Sequence, residues 1–465
     1  ELSKSSYHNN LKFRTRSVYF QGNQYEDKEL PENVKSTLKM FPSHHQKTVL
    51  IDYEVPHKAV GFVMEHNMLD NYWDDDSHIS GNVLSPNKGK NVDTPLQDVS
   101  SIVSGEVLWY INRNFCQSWD RVSSEKLEEK RKALTFDKYP FNKSAGGTPL
   151  MAQILRTYDK PDIEDIKKIY LQNIKRVTSY IYTENQYFRW PPLAEAFIKH
   201  WQNLRSKGRS ANMPIHWFVV TNSSDDGLGK GTYTTNKMLE KLGRQDVMPN
   251  VALTHTDRIE FLEASLGNNH AQGSASTIAK WKSELAELKA RQKQRSGTRE
   301  RSYTKNAEEV REKEFAKKLK KELGVKVHVC TLTARNAWKE VYIHSKVTII
   351  DDVFTVISSA NLNTRSMQVD TELGIFTENG AVARKLRKDL WKLHTRDLNK
   401  ANNAAGKFDN VANPERMNDP NIAKKAFDQW EKIMQRNKTN IKDGKPPLHP
   451  LCEFLRLDPK VSQLD

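Results

Sequence analysis

His45-Gln-Lys47 followed by Asp52 returns near the other end of the chain as His344-Ser-Lys346 followed by Asp351. In both copies lysine lies two residues after histidine and aspartate five after lysine, and each copy runs on to an asparagine, Asn67 or Asn361. One small kit carried twice, about 300 residues apart, implies two similar halves that build one site. Each copy lies in strand-like sequence, Thr48-Val-Leu-Ile51 and Val347-Thr-Ile-Ile350. On a strand, residues two apart share a face, so each histidine projects beside its lysine. The aspartate lies an odd number of residues further on and faces away. Asp52 and Asp351 are therefore expected to hold the loop that follows.

These residue types suit a phosphodiester. A neutral imidazole is a fair nucleophile near pH 7, with an ordinary pKa of about 6.5. One histidine can attack phosphorus and form a phosphohistidine, while the other protonates the leaving alkoxide and then takes a proton from water. Lys47, Lys346, Asn67 and Asn361 can hold the non-bridging oxygens. The scheme requires no metal or other cofactor, and leaves stimulation by divalent cations open. A lone motif of this kind also fits an edge strand with a satisfied histidine; its duplication is what favours catalysis.

The arrangement resembles the phospholipase D superfamily, whose mark is a duplicated H-x-K-x4-D-x6-G-S-x-N. The second copy follows it closely through Ser358-Ser359-Ala360-Asn361. The first departs more: Tyr53-Glu-Val-Pro-His-Lys58 lengthens the turn, so Asn67 lies 22 residues after its histidine against 17 in the second copy, and Met64-Glu65 stands where Gly-Ser or Gly-Gly is usual. Thr94-Pro-Leu-Gln-Asp98, Gly105-Glu106-Val107, Phe115-Cys-Gln-Ser-Trp119-Asp120, Gln153-Ile-Leu-Arg156-Thr157-Tyr158, Ile181-Tyr-Thr-Glu184-Asn185-Gln186-Tyr187-Phe188 and Asp370-Thr-Glu372 are similar to the eukaryotic-type phospholipases D. Gly61-Phe-Val-Met-Glu-His-Asn-Met-Leu-Asp-Asn-Tyr-Trp73-Asp looks like the phospholipase D effectors of bacterial type VI secretion.

The resemblance implies an α/β fold of two pseudo-symmetric halves, each a mixed β-sheet flanked by α-helices, with the active site in their seam. It implies His45 as nucleophile and His344 as general acid and then base, an assignment the symmetry allows to be reversed. Asp98 is expected to support His45, and Glu372 or Asp370 to support His344. The implied activity releases phosphatidic acid and a free headgroup from glycerophospholipids at a membrane surface. The effector likeness adds an immunity protein, a secretion spike, and action in a target cell's periplasm. A nuclease of the same superfamily is the rival reading, although nucleic acid is not the expected partner; a non-catalytic phosphate clamp is the third.

Composition narrows this less. The formal net charge of +15 and pI of about 9.4 draw the chain to polyanions, whether acidic lipid or nucleic acid. No run of 18 apolar residues is present, and the N-terminus lacks the apolar core of a secretory signal; it also lacks a methionine, which points to processing or to a start inside a longer protein. Cys116, Cys330 and Cys452 show no metal spacing, and Cys116 and Cys330 read as small packing residues.

The expected domains are an N-terminal half over 1–175, a C-terminal half over 176–400, and an extension over 401–465 packed on the core. Residues 1–40 read as a mostly extended lead-in packed on the first half. Apolar spacing predicts a helix over 104–119 with Val107, Ile111, Phe115 and Trp119 inward, and strands over Ser179–Phe188, Pro214–Thr221, Val325–Thr331 and Tyr342–Ile350. The charged insertion at about 255–324 carries two helical stripes around basic Arg291–Lys305, and reads as a solvated hairpin or a basic arm.

Overall fold

The computed structural model describes residues 12–19, 25–28, 30, 32–69, 72–81, 94–142, 146–223, 232–248, 324–399 and 410–456, with isolated positions between 263 and 289. The charged insertion at about 255–324 lies almost wholly outside the described residues.

Fourteen strands are described: β1 (Thr48–Ile51), β2 (Val60–Met64), β3 (Leu96–Gln97), β4 (Ser100–Val103), β5 (Gln153–Tyr158), β6 (Ile163–Glu164), β7 (Tyr180–Asn185), β8 (His216–Val220), β9 (Lys326–Thr333), β10 (Glu340–Ile343), β11 (Lys346–Ile350), β12 (Phe354–Ser358), β13 (Glu372–Thr377) and β14 (Leu451–Glu453). A small antiparallel sheet has the order β1-β2-β4. A large mixed sheet runs β3-β10-β9-β8-β7-β11-β12-β13-β5-β6, with β14 also on β9. β7, β8 and β9 are mutually parallel, while β11, β12, β13 and β5 are antiparallel.

The helices are α1 (Glu32–Met40), α2 (Val107–Trp119), α3 (Leu127–Lys130), α4 (Asp165–Asn173), α5 (Pro191–Ser206), α6 (Thr232–Lys241), α7 (Gly380–Thr395) and α8 (Pro420–Lys442). α4, α5 and α6 cover one face of the large sheet; α7 and α8 cover the other. The central strands are therefore buried on both faces rather than alternately. Successive residues of β8 go to opposite layers: Trp217 and Val219 face α5, Phe218 and Val220 face Trp391 and Trp430. Each such side chain contributes on the order of 2–3 kcal/mol by leaving water. Local signals fix the helix starts. α5 opens on Pro191-Pro192, and the Asn379 side chain caps α7 by accepting from Ala381 N and Val382 N, both at 3.1 Å.

The mixed α/β class and its motif-bearing antiparallel triads follow the expectation: β1-β2-β4 corresponds to β11-β12-β13. The halves are unequal, because the large sheet holds most of the strands. It also crosses the division at 175, since β3 pairs with β10 and β5 with β13. From the C-terminal extension, α8 packs on β8 and β14 extends the sheet beside β9.

Three local readings change. The lead-in does not pack on the first half alone, because α1 buries Val34 and Leu38 against Val369. Tyr342–Ile350 is not one strand; it breaks at His344-Ser345, so β10 pairs with β9 and β11 with β7. In α2 the buried face is Leu108, Ile111 and Cys116, while Phe115 is 41% exposed. A spacing of four overshoots the helical repeat by about 40° per step, so a long i+4 run walks off the core face.

All three cysteines are free. Among the described residues no helix is long and apolar enough to cross a membrane.

Candidate active site

The two motifs sit at matching places. Lys346 is the first residue of β11, Lys47 directly precedes β1, and each histidine lies two residues earlier. Asn67 and Asn361 each fall three residues past the strand that returns, β2 or β12. Asp52 and Asp351 both take a left-handed backbone, with φ of 51° and 53°, where the chain turns out of the motif strand. Asp351 is structural, but it does not hold the loop that follows. It accepts from Thr178 N and Oγ1, Ser179 N and Tyr180 N at 2.7–2.9 Å, and so anchors the start of β7. The Asp52 carbonyl accepts from Val55 N at 2.8 Å within its longer turn.

Each histidine is held by the other half of the chain. His45 N donates to Thr371 O at 2.9 Å, and its Nδ1 lies 3.0 Å from both carboxylate oxygens of the next residue, Glu372. His344 N donates to Gln97 O at 2.9 Å, and its Nδ1 lies 2.8 Å from Oδ2 of the next residue, Asp98. The expected supports are therefore exchanged: Glu372 serves His45 and Asp98 serves His344. The cause is pairing across the seam. β3 runs parallel to the end of β10, and His44 bridges Thr371, so each carboxylate arrives beside the histidine of the opposite motif.

Asp370 is not a support for a histidine. It binds Arg365 in a two-pronged pair at 2.9 and 3.0 Å and accepts from Ser43 N at 2.8 Å, which fixes the approach to His45. His44 turns aside to Thr371 Oγ1 at 2.5 Å.

With Nδ1–H on a carboxylate, Nε2 of each ring keeps its lone pair for a substrate. Lys47 Nζ donates to the His45 carbonyl at 2.8 Å; Lys346 Nζ donates to the His344 carbonyl and to Gln186 Oε1 at 3.1 Å. Asn361 is buried with its amide oxygen unpaired among the described residues, and Asn67 is half-buried.

The charges of the two motifs act on one another. Burial, then Lys346, Lys47 and His45, push His344 well below the ordinary imidazole range. Burial takes Lys47 and Lys346 down to about 8, opposed by Glu372 for the first and by Asp98 for the second. Burial lifts Asp98 to about 6 against the pull of Lys346. Burial also works to raise Glu372, but His45 and Lys47 outweigh it and hold it below the usual carboxylate range. The result is a pocket with two imidazoles, two ammonium groups and two buttressing carboxylates.

Several contributors carried no sequence signal of the task they perform. Tyr72 packs edge-on to His344, with ring centroids 4.9 Å apart. Ser359 Oγ donates to Glu372 Oε2 at 2.5 Å. Glu184, fully buried, accepts from Ser345 Oγ at 2.5 Å and pairs with His394 Nε2 of α7 at 2.7 Å, which fixes the peptide between His344 and Lys346. The strand signature Ile181–Phe188 marked Glu184 and Gln186 as notable without giving their task.

Residues 288–394, which hold the second motif, match the family described as cardiolipin synthase, PLD-like domain. Phospholipase D alpha 2 of Oryza sativa subsp. japonica is 22% identical over 474 aligned positions, taking in 86% of this chain and 53% of the rice protein. The chain thus spans about half the length of that relative. Phospholipase D alpha 4 of Arabidopsis thaliana is 43% identical over 68 residues, 13% of this chain and 9% of the plant protein. Among solved structures, phosphatidylserine synthase of Haemophilus influenzae Rd KW20 aligns over 87% of this chain and 71% of its own, at 11% identity and a TM-score of 0.33.

Proposed function

Taking as premise that this chain is a phospholipase D superfamily enzyme of the phosphodiesterase type, we propose that it hydrolyses glycerophospholipids to phosphatidic acid and a free headgroup. The observation that carries the chemistry is the crossed clamp, His45 on Glu372 and His344 on Asp98, with a lysine beside each. His45, the more open ring at 30% side-chain exposure, attacks phosphorus through Nε2 and forms a phosphohistidine. When the anionic diester binds, His344 takes up a proton from solvent at Nε2, gives it to the departing headgroup oxygen, and then draws a proton from the water that releases phosphatidic acid. Burial keeps His344 neutral at rest, and the negative charge of a bound diester opposes that shift. Glu372 and Asp98 stabilise the imidazolium forms. Lys47, Lys346, Asn67 and Asn361 hold the non-bridging oxygens. Every step uses protein groups and water.

The lipid reading is supported by the plant phospholipase D relatives and by the run Ile181–Phe188. The effector reading, with action in a target cell's periplasm, an immunity protein and a secretion spike, rests on the likeness of Gly61–Asp74.

The test is turnover of mixed phospholipid vesicles by wild type and His45→Ala, with and without chelator, and a search for the acid-labile phosphorylated histidine in alkali-quenched samples. Headgroup release that the substitution abolishes and the chelator leaves alone supports the proposal. DNA degradation without headgroup release replaces it with the nuclease reading. Retained ligand binding with no turnover of any diester replaces it with the phosphate clamp. Phosphate mapped to His344 reverses the two histidine roles.

A further inference from the structure

The symmetry of the site extends to one more pair. The residue directly after β2 is Glu65, and the residue directly after β12 is Ser359. Ser359 Oγ donates to Glu372 Oε2 at 2.5 Å and accepts from Leu373 N at 3.1 Å. In the other half Glu65 Oε2 accepts from Val99 N at 3.3 Å. Val99 follows Asp98 as Leu373 follows Glu372, and Asp98 is the carboxylate on His344. Glu65 therefore occupies the Ser359 station. What completes the correspondence is a donor from Glu65 to Asp98.

Glu65 is fully buried, and its Oε1 has no partner among the described residues. Val99 N also lies 3.2 Å from Asp98 Oδ1, so two carboxyl groups share one N–H. Two like charges this close and away from water do not both ionise. The titratable groups acting on Glu65 are Asp98, Lys346 and Glu184, with the Tyr170 and Tyr182 hydroxyls nearby. Burial first, then Asp98, push Glu65 well above the usual carboxylate range, while Lys346 opposes them. Glu184 is committed to His394 and Ser345, and Tyr170 donates to Thr348 Oγ1 at 3.2 Å. Tyr182 donates to Glu184 as well, and Asp98 shares the Val99 N–H with Glu65, which makes it the acceptor that the correspondence assigns to a Glu65 proton.

We propose that Glu65 is a positioning residue: its carboxyl group keeps a proton and donates it to Asp98, holding Asp98 on the His344 ring as Ser359 holds Glu372 on the His45 ring. The proposal rests on the reading of His45 and His344 as the reacting pair. The hydrogen bond leaves Asp98 Oδ2 free to accept from His344 Nδ1 and stabilises the Asp98 anion when His344 gains its proton. It also accounts for a second acid beside an anion-binding pocket: the pair carries one negative charge, not two.

Two measurements test this. The first uses no substrate. The infrared difference between wild type and Glu65→Gln at neutral pH should contain the C=O stretch of an un-ionised carboxyl group; carboxylate bands in its place overturn the proposal. The second follows bis(4-nitrophenyl) phosphate, a diester whose turnover does not depend on the natural substrate being a lipid. Glu65→Ala should lower kcat about 10- to 100-fold with KM little changed, the scale of a hydrogen bond to a charged group. Glu65→Ser, which copies the Ser359 arrangement, should recover most of the loss. Wild-type kcat in Glu65→Ala overturns the proposal, as does Glu65→Ser no better than a folded Glu65→Ala. Should Glu65→Ala fail to fold, the infrared band decides alone. Should wild type turn over no diester at all, the reacting-pair reading falls, while the band still reports the proton.

Discussion

Lys47 and Lys346 make the alkaline side of the rate profile a direct readout of the pocket. Burial brings both to about 8, where an ordinary lysine titrates at 10.5. Their catalytic form is the ammonium, which cancels charge on the non-bridging oxygens. At about pH 7 each is roughly 90% protonated, and at about pH 9 each is roughly 10% protonated. If both charges are needed, the rate falls about tenfold for the first lysine and about another tenfold for the second. Stability moves the other way. Each folded-state pKa lies below the unfolded one, so between about 8 and 10.5 the unfolded chain binds the extra protons. In that window these two lysines make the fold more stable as pH rises, each by on the order of 3 kcal/mol. Activity should therefore collapse while their contribution to stability grows. The assay is kcat/KM on a chromogenic diester from about pH 6 to about pH 10, with circular dichroism and urea midpoints on the same samples. A rate that stays flat to about pH 10, or a loss that coincides with unfolding, refutes the assignment of two buried, functional ammonium groups.

Two further outcomes follow from the geometry. Glu372→Gln and Asp98→Asn should each lower kcat by about 10²- to 10⁴-fold with little change in KM, and the double variant should fall well short of the product of the two; single-turnover kinetics checks this. Arg387 forms a fully buried two-pronged pair with Asp352 at 2.7 and 3.1 Å, so Arg387→Ala strands a buried carboxylate. It should cost about 3–5 kcal/mol by denaturant titration, whereas a well-packed Asp352→Asn/Arg387→Met double variant should cost less.

The catalytic kit was legible because it is repeated at fixed spacing. The strands around it were legible because β7, β8, β9 and β11 are rich in β-branched and aromatic residues, as strands buried on both faces are. The pairing of supports was not legible. Both carboxylates follow their own motif, so proximity along the chain gives no guide to which histidine each will meet. That choice is made by β3, two residues long, and by the single His44–Thr371 bridge, neither of which has a periodic signature. The break at His344-Ser345 was hidden for a related reason. Val341 to Ile350 alternates like one strand, but its halves pair with different neighbours. The role of Glu65 was hidden because a glutamate in place of the usual small residue reads as repulsion, until its burial beside Asp98 assigns it a proton.

The crossed clamp also governs when in its own synthesis this chain becomes competent. His45 leaves the ribosome 327 residues before its buttress, Glu372, and His344 emerges only near the end of that interval. Over that interval a growing polypeptide carries the first motif as an unbraced imidazole. On the reading that His45 attacks phosphorus, its braced form arises only when strand β13 docks and brings Glu372 to the ring.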